Sequence, residues 1–135
     1  MYELRPIGHV ESPLTERAAA PRQGDEGSPD AWLVLDEPVH RAASDLRAGM
    51  AVLVLTWLHL ADRSVLRVHP RSDPANPVEG VFSTRSSDRP NPIGLHRVEI
   101  VAVEGEGRLR VRNLEALDGT PIVDIKPVLD AALEK

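Results

Sequence analysis

The sequence contains no cysteine. That excludes disulfides, thiolate catalysis and Cys-ligated zinc or iron–sulfur centres. Aromatic residues make up only 3%, so Val, Leu, Ile and Ala must fill any core. The longest apolar run, Met50 to Leu58, is too short to cross a bilayer and is interrupted by Thr56. The first residues, MYELRPIGHV, lack the basic-then-apolar pattern of a secretory leader. A soluble, cytoplasmic protein with no membrane partner is therefore expected. There is no Gly-rich turn between a strand and a helix, which argues against a Rossmann cofactor site. No His or acidic residues stand at metal-ligand spacing, so no metal is expected. Positive charge is in the minority: the net charge is -5 and the pI about 5.5. This balance disfavours nonspecific nucleic-acid binding while leaving room for a local basic patch.

What the sequence does have is punctuation. With 135 residues, one domain spanning 1–135 is expected. The 12 prolines and 9 glycines favour loops and short elements over a helical bundle. Strands are predicted at Pro6–Glu11, Trp32–Asp36, Met50–Leu60, Val65–His69, Gly80–Thr84, His96–Glu104, Arg108–Leu117 and Pro121–Ile125. A short helix is predicted over His40–Ala48, stopped by Gly49. Ser12–Pro29 reads as a long loop, and loops of that length tend to be functional or disordered. The expected fold is mostly β: a small antiparallel β-barrel-like domain with one or two short helices, and not a Rossmann fold.

Four polar islands break the strand rhythm. They are Pro21-Arg22-Gln23-Gly24, the Trp57–Leu60 strand end with His59, the Arg85–Gly94 loop, and Asp118-Gly119-Thr120-Pro121. The last is an ordinary turn sequence: Asp bonds nearby backbone, Gly takes positive φ, and Pro opens the next segment. A lone strand-end histidine is more often satisfied or solvent-facing than functional. The Arg85–Gly94 loop is more demanding. Pro90 and Pro92 hold Arg89 and Asn91 in extended conformations and fix two φ angles themselves. A backbone stiffened in this way loses little entropy on holding a ligand. Arg108, Arg110 and Arg112 alternate along one strand and share a face. That face is either a solvated exterior or a phosphate-contacting stripe.

Taken in order, PIGHVES, PRQ, Trp-Leu-His, GVFSTRSSDRPNPIGL and LDGTPIVDIKP resemble the TsaA-like family across nearly the whole chain. The family's best-known activity is that of a tRNA (adenine-N6)-methyltransferase using S-adenosylmethionine. The resemblance implies a small β-barrel-like, non-Rossmann enzyme, usually a homodimer. It also implies a particular substrate, the threonylcarbamoyl-modified adenosine beside the anticodon of certain tRNAs. Carried over residue by residue, it implies a cofactor site of Pro21, Arg22, Gln23, His59, Leu60, Arg85, Leu95, Asp118, Gly119, Thr120 and Pro121. Arg89 and Asn91 are the expected acceptor contacts. Asp88, Asp118 and Asp124 are unranked candidates for a general base. Two other readings stay open: methyl transfer to a small molecule, and a non-catalytic module that binds the cofactor or RNA.

Overall fold

A computed structural model describes residues 1–15 and 27–129. Six strands form an antiparallel sheet whose hydrogen-bonded neighbours run β1 (Gly8–Glu11), β2 (Ala31–Leu35), β7 (Arg108–Arg112), β6 (Ile93–Val103), β3 (Ala51–Trp57) and β8 (Pro121–Pro127). Because β8 pairs back onto β1, the sheet closes into a ring. The closing seam is short: Gly8 stands opposite Ile122 and His9 opposite Pro121. Two backbone bonds extend it, Ile7 N–H to the Ile122 carbonyl and Val10 N–H to the Thr120 carbonyl. Two-residue strands β4 (Arg67–Val68) and β5 (Glu79–Gly80) pair outside the ring.

Alternation decides which side chains enter the ring. In β3, Val52, Val54 and Thr56 are buried, while the residues between them face outward. The same period puts Val98 and Ile100 of β6, Leu109 and Val111 of β7, Leu33 of β2 and Ile122 of β8 inside. These aliphatic residues make a core without an aromatic ring, as the composition requires. Burial of such side chains is the main stabilising term for a fold of this kind. A register shift between β3 and β8 falls at Leu55/Thr56, where Val123 is skipped in the pairing. Bulges of this type re-aim neighbouring side chains, and this one sits beside Thr56, at the end of the core.

The expected strand–turn rhythm holds, with corrections. The predicted helix at His40–Ala48 is instead a 3-10 segment over Glu37–Ala43, with Pro38 in its first turn. The predicted strand Gly80–Thr84 ends after Gly80 and becomes a 3-10 turn, Val81–Ser83. Strand β6 begins at Ile93, three residues earlier than expected, and so takes in the end of the Pro-rich loop. Strand β7 stops at Arg112, because Asn113 turns to positive φ (69°).

Candidate functional site

A cleft of about 1430 Å³ opens where β3 ends and β6 begins. Its walls are the turn after β3, the Phe82–Arg89 loop, β6, and the segment from Asn113 to Thr120. Pockets for one small ligand usually measure about 300–1,000 Å³, so this cleft leaves room for a second molecule beside one. Exposed apolar side chains stand in it: Leu60, Phe82, Ile93 and Leu95. Arg85 and His59 line the same space.

The loop wall is held rigid by two arginines. The Arg89 guanidinium donates to the backbone carbonyls of Val81, Thr84 and Ser86. These charge-assisted bonds draw the loop around one side chain. Arg63 does similar work from the turn after β3. It donates to the Pro90 carbonyl at 2.6 Å and to Asn91 Oδ1 at 2.9 Å, with its guanidinium 5.2 Å from the Trp57 ring centre. Asp88 Oδ1 accepts the Asp62 N–H, and the Pro92 carbonyl accepts the Leu58 N–H. The Pro-rich loop is thus fastened to the end of β3, which fixes His59 and Leu60 relative to Arg85.

At the inner end of the cleft lies a buried polar chain. The Thr56 hydroxyl meets His96 Nε2 at 2.7 Å, and His96 Nδ1 meets Glu115 Oε1 at 2.6 Å. Thr56 is 0% exposed, His96 4%, and the Glu115 side chain 19%. An ionised carboxylate can only accept, so Nδ1 carries the hydrogen. Thr56 satisfies Nε2 in either charge state, since a hydroxyl both donates and accepts. Gly94 makes the arrangement possible. A Cβ there would lie 2.3 Å from Thr56 Oγ1 and 2.6 Å from His96 Nε2.

A family model for the tRNA-methyltransferase O N-terminal domain matches residues 9–132. The chain belongs to that family. A probable S-adenosyl-L-methionine-binding protein of Methanothermobacter thermautotrophicus is 47% identical over 92% of this chain and 88% of its own length. An S-adenosyl-L-methionine-binding protein of Archaeoglobus fulgidus is 42% identical over 91% and 86%. Among solved structures, TrmO from Pseudomonas aeruginosa superposes with a TM-score of 0.78 at 32% identity, over 98% of this chain. This chain spans only 58% of that TrmO chain. The TsaA-like resemblance and the mostly β, non-Rossmann fold are both borne out.

Within this TrmO-family domain, the cleft brings together His59, Leu60, Arg85, Leu95 and Thr120 of the expected cofactor set, and also Asp88 and Arg89. Pro21, Arg22 and Gln23 lie outside the described residues. Asp118, Gly119 and Pro121 form the turn behind Thr120 rather than the cleft wall. That turn is fastened to the end of β1: Asp118 Oδ1 accepts the Ser12 N–H, and Gly119, at φ 82°, donates to the Val10 carbonyl. Asp124 is away from the cleft and pairs with Lys126 at 2.9 Å. Asn91 is bonded to Arg63 and does not line the cleft. The Thr56–His96–Glu115 chain escaped sequence reasoning. Its only local sign was a histidine on the inward phase of a strand, two residues after a glycine.

Along β7 the arginine stripe is largely neutralised. Arg108 forms a two-pronged bond to Glu11, and Arg110 pairs with Asp30 at 3.1 Å. The bond to Arg108 holds the Glu11 carboxyl below its ordinary range.

Proposed function

We propose that this protein is a tRNA methyltransferase that uses S-adenosylmethionine to methylate N6 of threonylcarbamoyl-modified adenosine beside the anticodon. One observation carries the reading. A TrmO-family match over residues 9–132 coincides with a cleft that gathers His59, Leu60, Arg85, Leu95 and Thr120. The donor set suits the cofactor's chemistry. A guanidinium is matched to an amino-acid carboxylate, and Leu60 and Leu95 offer apolar surface for adenine. Thr120 suits the ribose, and the family resemblance adds Pro21, Arg22 and Gln23 to the set. The cofactor supplies an electrophilic methyl group on a sulfonium. The protein's own task is then mainly to align donor and acceptor. The stapled loop serves that task, and Arg89 and Asn91 act on the acceptor by fixing the loop's shape.

The outward residues Leu53, Leu55 and Trp57 of β3 make an apolar face. A second copy of the chain covers it in this reading, giving a homodimer in the cytoplasm. Among the described residues no helix is long and apolar enough to cross a membrane.

A second reading keeps the enzyme and makes the acceptor a small molecule. The paired state of Arg108 and Arg110 favours it, because those arginines are already satisfied on an acidic protein. The test begins with calorimetric titration of S-adenosylmethionine and S-adenosylhomocysteine, then measures methyl transfer to tRNA across a salt series. One ligand per chain and salt-sensitive transfer to tRNA support the first reading. Salt-insensitive transfer to a small acceptor supports the second. Cofactor binding with no transfer to any acceptor would reduce the protein to a binding module.

A further inference from the structure

We infer that Glu115 is the proton acceptor of the methyl-transfer reaction, held in place by His96 and Thr56. The inference rests on the methyltransferase reading above. An exocyclic nitrogen that gains a methyl group must lose a hydrogen. As the N–C bond forms, the methyl carbon's bond to sulfur breaks, and that electron pair stays on sulfur. The nitrogen's proton then passes to a carboxylate oxygen. A strong base is unnecessary, because the methylated nitrogen is cationic and sheds its proton readily. Position and an available lone pair are what matter.

Among the described residues, three carboxylates line the cleft: Asp88, Glu99 and Glu115. Asp88 binds the Asp62 N–H and ties the loop to the turn after β3. Glu99 lies on the outward phase of β6, opposite Arg112 in the pairing. Glu115 differs from both. One oxygen is pinned by His96 Nδ1 at 2.6 Å, and the side chain is still 19% exposed. The imidazole is in turn fixed by Thr56, deep in the ring. A histidine buried to 4% exposure costs stability unless both nitrogens are satisfied. Here that cost is met, and what it secures is the orientation of a cleft-facing carboxylate. His96 and Thr56 are positioning residues, and Glu115 alone touches the acceptor.

The test compares the parent protein with Glu115→Gln and Glu115→Asp. It uses tRNA methyl-transfer kinetics, calorimetric titration with S-adenosylmethionine, thermal unfolding, and nitrogen NMR of the His96 ring. Glu115→Gln should lower kcat by about 100-fold or more, the usual contribution of a positioned acid or base. KM for tRNA and Kd for the cofactor should stay within about threefold, since uniform binding is untouched. The His96 Nδ1 resonance should move, reporting the missing carboxylate in the protein alone. Glu115→Asp should recover part of kcat, and it decides the matter if the Gln variant fails to fold. Transfer by Glu115→Gln within about threefold of the parent overturns the assignment. So does a loss of cofactor affinity as large as the loss of kcat, which would make Glu115 a cation-binding group. A parent that binds cofactor and methylates no tRNA removes the tRNA reading instead, and is distinguishable from either result.

Discussion

In the proposed cofactor site, Arg85 is the side chain expected to pair with the methionine carboxylate. Arg85→Ala should weaken S-adenosylmethionine binding by roughly 1–3 kcal/mol, the scale for losing a charged hydrogen-bond partner. Calorimetry on the folded variant checks this, and unchanged affinity would remove Arg85 from the site. Gly94 offers an independent check on the inner end of the cleft. A Cβ there collides with both Thr56 Oγ1 and His96 Nε2, so Gly94→Ala should cost about 1–3 kcal/mol by overpacking. A urea midpoint equal to the parent's would mean that the polar chain can shift aside. At this scale the sequence was partly legible. Arg85 and Leu95 stand in a motif dense in proline and arginine, which announces itself. Thr56, His96 and Glu115 do not, because they are separated by 40 and 19 positions. Only the pairing of β3 with β6, which sets Thr56 opposite Gly94, brings the first two within reach.

Strands were legible where burial enforces a period of two, and less so where side chains capture the backbone. Val52, Val54 and Thr56 alternate plainly, and β3 formed near its expected bounds. Gly80–Thr84 looked equally strand-like. There Arg89 claims the carbonyls of Val81 and Thr84, which withdraws them from any ladder and leaves a 3-10 turn. Nothing in the local propensities of those residues encodes an arginine arriving from further along the chain. The pairing of β2 with β1 on one edge and β7 on the other yields a pH prediction. Arg108 lowers the Glu11 pKa below its ordinary 4.5. The stabilisation is therefore present above that value and fades as pH falls through the lowered one. Glu11→Gln should lower Tm slightly at neutral pH and leave it unchanged in acid well below the lowered pKa. An equal loss at both would assign the effect to packing on Trp32, whose ring lies 5.5 Å from the Arg108 guanidinium.

Taken whole, the molecule is acidic, with Arg108 and Arg110 of its outer stripe already engaged. Replacing these two by Ser should therefore change tRNA affinity by less than about twofold at physiological salt. If they do neutralise phosphates, the variant would instead show a shallower salt dependence, by about 0.7–0.9 in the log–log slope for each phosphate left unneutralised. Filter binding of parent and variant at several salt concentrations distinguishes the two. The ring itself has a consequence for how the protein is made. Its seam joins Gly8 and His9 to Ile122 and Pro121, so the barrier to folding includes closing the long loop between them. A ribosome must release the chain through Ile122 before β1 meets β8. Until then, β1 and β3 each present an unpaired edge to other nascent chains. Slow synthesis, or arrest before β8 emerges, should favour aggregation over degradation of a loose monomer.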